Sequence, residues 1–206
     1  MPRAAKEQAL RRTDEILDAC AELYATSSFH DVTIKDIAAA TSFSRPSIYN
    51  YFHTIEEIFL GLLQREYERW ADDLEALRDQ EGELSCEGLA SAIAHTLDKR
   101  TTLLRIQATN LHEIEDNCRL ERLTDFKVSM VRVFDAFDGC IRRYLPEKTD
   151  EDLLKLRYAF FPFLYGAYPF SEPSEKQKAA MDAAGMVHPQ ITLYELIYGC
   201  LLKLLQ

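Results

Sequence analysis

Glycine is scarce in this chain of 206 residues, at 7 in all, and no alternating apolar–polar run survives between turn signals. Strand-built architectures are thereby excluded, and the chain is predicted to be all-α. Long apolar runs are missing too. The longest, residues 158–170, holds two prolines and falls short of the roughly twenty residues a membrane helix needs. The N-terminus is basic but is followed by no apolar segment, so it does not read as a secretory signal. A cytoplasmic protein with no membrane partner is expected.

Motifs for chemistry are equally thin. Five histidines and five cysteines occur, but no CxxC, no HExxH, no phosphate loop and no Ser/His/Asp or Cys/His arrangement. No enzyme, metal or cofactor is expected. Cys20, Cys86, Cys118, Cys140 and Cys200 read as reduced thiols packed inside. Cys86 is the best placed for a lowered thiol pKa, because it opens a helix after a polar loop.

Positive charge is in short supply, with 24 Lys and Arg against 34 Asp and Glu for a net −10. Its distribution is uneven. Residues 1–53 carry six bases against seven acids, while the first twelve residues alone carry four bases and one acid. The acidic load therefore lies mainly beyond residue 53.

What is present is concentrated between Thr33 and His53, TIKDIAAATSFSRPSIYNYFH. Thr33 stands where an N-cap belongs, and Asp36 three residues on completes an approximate capping box. Ile34, Ile37 and Ala38 give the following helix one narrow apolar face. Thr41-Ser42-Phe43 forms a turn, with Phe43 as an apolar plug. Ser44 then caps a second helix that tolerates Pro46 in its first turn. At about 100° per residue, Ile48 and Phe52 point inward with Tyr51 at their edge. Pro46, Tyr49, Asn50 and His53 face outward, flanked by Arg45 and Ser47. Thr54 caps the next helix and Glu57 completes a second box. Such a pair of helices places its second member in a DNA major groove.

Residues 10–60 resemble the DNA-binding domain of TetR-type bacterial regulators. The resemblance is carried by Ile16-Leu17-Asp18-Ala19-Cys20, by Thr33-Ile34-Lys35-Asp36-Ile37-Ala38, by Ser44 through Phe52, and by Glu56-Glu57-Ile58. Ser42 and Ser28 stand where many relatives have glycine, Pro46 replaces a common glycine, and Ile55 stands where the family usually has a phosphate-contacting lysine. The resemblance implies a DNA-binding surface of Thr33, Lys35, Ser44, Arg45, Pro46, Ser47, Tyr49, Asn50, Tyr51 and His53. Arg45 is its expected guanine reader, through bidentate contact to O6 and N7. Lys35 is placed for a phosphate or base edge, and Thr33 and Ser47 for phosphate.

The rest is predicted to be helical throughout. An N-terminal three-helix helix-turn-helix domain over 1–53 is expected to be followed by a regulatory and dimerisation domain over 54–206. Helices are predicted near 6–26, 54–80, 85–99, 101–115, 119–145, 150–169, 175–184 and 191–205, with Pro162 kinking and Pro169 ending the one near 150–169. That helix and the last are apolar nearly all round, which points to a homodimer built through 150–169 and 191–205. Trp70, His95, His112, Phe126, Phe134, Tyr158, Phe161 and Tyr165 are candidates for lining an effector pocket. Partners are thus a double-stranded, palindromic DNA operator, a second copy of the chain and a small-molecule effector of unidentified structure. The function expected is a ligand-responsive repressor. The alternative is a TetR-like dimer acting mainly through a protein partner, without a small-molecule effector.

With so few bases near the reading helices, phosphate contact must come largely from hydroxyls and backbone N–H groups. A titration of operator DNA against salt should give a shallow dependence. A log–log slope steeper than about −10 contradicts this, since each neutralised phosphate contributes about −0.9.

Overall fold

The computed structural model describes residues 3–187 and 190–206, with the side chains of residues 3–7 and 9 outside the description. The side chains of Arg3 and Lys6, two of the four bases in the first twelve residues, thus lie outside the described residues. Among the described residues every regular element is helical. The helices are α1 (Arg3–Thr26), α2 (Ile34–Ala39), α3 (Arg45–Ile48), α4 (Ile55–Arg78), α5 (Cys86–Asp98) and α6 (Thr101–Asp116). They continue with α7 (Leu120–Tyr144), α8 (Asp150–Ser171), α9 (Glu175–Ala183) and α10 (Leu193–Leu205). A 3₁₀ turn, Phe29–Asp31, lies between α1 and α2.

Two compact units emerge. Unit 1 comprises Met1–Glu66 with Asn110–Ser129, and unit 2 comprises Tyr67–Thr109 with Met130–Gln206. The unit that holds the helix-turn-helix therefore runs past residue 53, taking in the first half of α4 and the α6–α7 corner.

Unit 2 is organised around aromatics packed on Phe161. Trp70 is fully buried, its ring 5.6 Å from Phe161 and its Nε1–H donating to Thr96 Oγ1 at 2.9 Å. Phe134 meets Phe161 edge-on at 4.6 Å, and Phe137 lies 5.5 Å from it. Helix α10 packs against α5 and α8 through Leu193, Ile197, Leu201 and Leu205. Helix α8 differs from expectation at its end. Pro169 lies inside it and the helix continues to Ser171, where the Glu172 amide closes the turn on the Tyr168 carbonyl at 2.8 Å. A proline removes only its own N–H and crowds the preceding turn, and two further residues complete the helix regardless. Helix α9 ends as its glycine suggests, with Gly185 at φ +66° and the Met186 amide bonded to the Met181 carbonyl.

In unit 1 the core is formed by Ile16, Cys20 and Tyr24 of α1, Ile37 of α2, Ile48 and Phe52 of the helix-turn-helix, and Ile58, Phe59 and Leu62 of α4. Tyr24 meets Phe59 edge-on, ring centroids 5.1 Å apart. Gly61 marks a close approach of α4, since a Cβ there would lie 3.2 Å from side-chain atoms of Leu17 and Phe52.

The Glu57 carboxylate sits inside this core. The Glu57 side chain is wholly enclosed and accepts from the His53 amide at 2.8 Å. The Arg119 guanidinium grips it from Nε at 2.6 Å and Nη2 at 2.8 Å. Burial alone would raise this carboxyl's pKa, but the hydrogen bonds from Arg119 and the two backbone amides outweigh it and hold the pKa at about 2. Because the folded value lies below the ordinary 4.5, the stabilisation is complete above that pH and is lost as pH falls towards 2. In unfolding measurements from pH 6 to pH 2.5, wild type should lose stability faster than Glu57→Gln. Parallel pH profiles for the two proteins would contradict the assignment.

Candidate nucleic-acid interface

The local chemistry of the helix-turn-helix is visible atom by atom. Thr33 caps α2, its Oγ1 accepting from the Asp36 amide at 3.3 Å while Asp36 Oδ2 accepts from the Thr33 amide at 3.2 Å. A cap of this kind is worth about 1 kcal/mol. The Asp36 carboxyl is held below its usual pKa, chiefly by its bond from the Thr33 hydroxyl. Ser44 is the N-cap of α3, yet its side chain makes no capping bond. Its hydroxyl pairs instead with that of Ser47 at 2.8 Å.

The serines that replace family glycines cause no strain. Among the described residues no non-glycine residue has a positive φ, so neither position requires glycine. The Ser42 amide donates to Glu15 Oε1 at 2.7 Å, which ties the turn to α1 across 27 residues. Ser28 begins the 3₁₀ turn, its hydroxyl bonded to Asp31 Oδ2 at 2.6 Å.

Helix α3 is shorter than the sequence predicts, Arg45–Ile48 rather than a helix reaching Phe52. The chain continues as turns, closed by the Tyr51 and Phe52 amides on the Ile48 carbonyl at 2.9 and 3.0 Å. The faces are nevertheless as the periodicity places them. Ile48 and Phe52 are buried; Arg45, Pro46, Tyr49, Asn50 and His53 are exposed, and Ser47 and Tyr51 are half-buried. Arg45 Nη2 donates to the Tyr49 hydroxyl at 3.3 Å, so the two side chains form one exposed unit. Tyr51 turns towards α1, where Arg12 Nη1 donates to its hydroxyl at 3.3 Å, and lies 6.4 Å from the Phe43 ring. Arg12 also lies over Phe43, 5.8 Å from its centroid. Phe43 is half-buried and joins the turn to this cluster.

Beside the reading face lies an open notch of 580 Å³, lined among others by Thr33, Lys35, Arg45, Tyr49, His53, Ile55, Glu56 and Glu113. Five of the ten expected contact residues thus share one surface. Glu56 and Glu113 set two carboxylates beside them, with His30 Nε2 at 3.8 Å from Glu113. These acids, like Ile55 in place of a lysine, keep the positive potential low. Glu113 reaches this surface from 60 residues beyond His53, so no local motif signals it.

The residues considered for an effector pocket fall in different settings. Trp70 and Phe161 are buried in unit 2 against one another, and the half-buried Phe134 packs edge-on against Phe161. Tyr158 is exposed, His112 is exposed, and Phe126 is buried in unit 1. The His95 ring stacks on Tyr194 at 4.4 Å, and Tyr165 is half-buried. Cys86 also departs from expectation. Its thiol pKa is raised, by burial first and then by the charge of Glu87, so its place at a helix start does not activate it.

Family models match most of the chain. Residues 16–62 match the tetR family of bacterial regulatory proteins, and residues 64–206 match the tetracyclin repressor-like C-terminal domain. The uncharacterized HTH-type transcriptional regulator YfiR of Bacillus subtilis is 28% identical over 114 residues, 55% of this chain and 53% of its own length. The HTH-type transcriptional regulator AlkX of Mycobacterium tuberculosis is 34% identical over 79 residues, 38% of this chain and 37% of its own. The chain therefore spans about half or less of the curated relatives it matches. A solved structure of the fatty acid degradation regulator FadR from Bacillus halodurans shares the fold, with TM-score 0.61, 16% identity and 94% of each chain covered.

Proposed function

The chain belongs to the TetR family, and we propose that it is a DNA-binding transcriptional regulator that reads a palindromic operator as a homodimer. The observation that carries this reading is the exposed Arg45–Tyr49 pair on a helix-and-turn segment whose opposite side, Ile48 and Phe52, is locked in the core. A folded core has no use for a guanidinium, a phenol, an amide and an imidazole on one exposed face. Base edges and phosphates use all four.

Dimerisation is supported by α8 and α10. Helix α8 leaves Leu154, Tyr158 and Phe170 strongly exposed, with Ala159, Pro162 and Gly166 also exposed between them. An apolar stripe of this length supports an interface in place of a solvated face. Gly166 and Gly199 have open space where a Cβ would stand. Neither glycine is needed within the chain, and both leave room for the backbone of a second copy.

Response to a small-molecule effector is supported by a polar pair inside unit 2. Gln107 is buried, its Nε2 donates to the Tyr67 hydroxyl, and its Oε1 has no partner among the described residues. A ligand with an apolar body and one donor group would satisfy that oxygen. Regulation then follows from unequal affinity for DNA-competent and incompetent dimers.

Selection of bound duplexes from a random pool tests the reading. Wild type should enrich a palindrome. Arg45→Ala should lose roughly 1–3 kcal/mol on it and relax one base position in each half-site. Failure to enrich any palindrome would overturn the proposal.

A further inference from the structure

The last turns of the helix-turn-helix are held from a part of the chain more than sixty residues away. Helices α6 and α7 meet at a corner, Asn117–Arg119, and five hydrogen bonds run from this corner and the start of α7 to residues 51–57. Arg119 grips Glu57 with both its Nε and Nη2. Its backbone amide donates to Glu57 Oε1 at 3.3 Å. The Thr54 hydroxyl donates to the Asn117 carbonyl at 3.3 Å. Arg122, one turn into α7, donates from Nη2 to the Tyr51 carbonyl at 2.8 Å, and its guanidinium carbon lies 5.4 Å from the centroid of the buried Phe52 ring.

These contacts converge on the segment that needs them. The Tyr51 carbonyl follows a helix of only four residues, where backbone acceptors lack intrahelical donors. Glu57 joins the two sides, since the same carboxylate that takes the Arg119 fork also takes the His53 amide. Both arginines act on protein acceptors from outside the exposed reading face. A planar fork engaged on two oxygens fixes direction as well as distance.

We propose that Arg119 and Arg122 are positioning residues for DNA recognition, which set the exit angle of the Arg45–His53 segment by clamping its C-terminal end to the α6–α7 corner. The inference rests on the DNA-binding reading above, yet it makes a claim of its own. A site that reads base edges must hold its side chains within about 0.5 Å of the productive geometry. The clamp supplies that constraint at the end of the segment opposite the Glu15–Ser42 tether.

Arg122→Met is the informative variant, because it keeps an unbranched stem over Phe52 and removes only the guanidinium. On the palindrome enriched by wild type, affinity should fall about tenfold, with non-specific affinity and salt slope unchanged. Arg122→Lys should recover part of the loss. A second readout needs no DNA: amide hydrogen exchange over residues 47–53 should quicken in Arg122→Met while exchange in α5 and α10 stays as in wild type. Wild-type affinity for the palindrome in Arg122→Met would overturn the proposal. So would equal losses on specific and random DNA with a shallower salt slope, which would mark Arg122 as a direct phosphate contact. Unchanged exchange over 47–53 would overturn it as well. If wild type enriches no DNA, the exchange experiment still decides whether the clamp exists, and the two failures remain distinct.

Discussion

A four-residue helix cannot hold itself together. Fixing its first turn costs several backbone dihedrals for a single hydrogen bond, and too few residues follow to recover that cost. Helix α3, Arg45–Ile48, exists because Ile48 and Phe52 are buried at 0% and 2% exposure. The surrounding structure meets that constraint. Helix α1 supplies Glu15 to the turn before α3, α4 supplies Glu57 to the segment after it, and Gly61 of α4 lets Phe52 pack closely. Deep burial on one side of the helix leaves the other free to carry Arg45, Tyr49 and Asn50 in fixed directions.

The charge pattern follows from the same economy. A reader positioned this firmly does not need a broad basic surface to orient it. Two of the bases near the reading face are engaged with neighbouring side chains: Arg45 with Tyr49, and Arg12 with Tyr51 and Phe43. Glu56 and Glu113 sit in the adjoining notch. Such an interface gains its energy from fitted hydroxyl, amide and guanidinium contacts more than from counterion release. Fitted contacts depend on geometry, so small changes in the pose of residues 45–53 carry large consequences for affinity.

The sequence revealed whatever is encoded within a turn or two. The Thr33–Asp36 box, the inward Ile48 and Phe52, and the Thr54 hydroxyl that accepts from the Glu57 amide at 3.1 Å are all local and were legible. Contacts across long separations were not. Glu57 with Arg119 spans 62 residues and Glu15 with Ser42 spans 27, and no spacing rule links them. The aromatic run of α8 shows a second limit. Tyr158 and Phe161 are alike in composition, yet one is exposed and the other buried, because a helix apolar on every side does not say which side meets the core. Cys86 shows a third, since helix position alone is outweighed by burial and by a neighbouring carboxylate.

The central claim is that two copies of this firmly held helix meet one duplex together. Hydroxyl-radical footprinting on the selected palindrome tests it most directly. The account predicts two protected patches of equal strength, centred about one helical turn, or a whole multiple of 10–10.5 base pairs, apart on the same face of the DNA. A single patch, or uniform protection without that spacing, would contradict it.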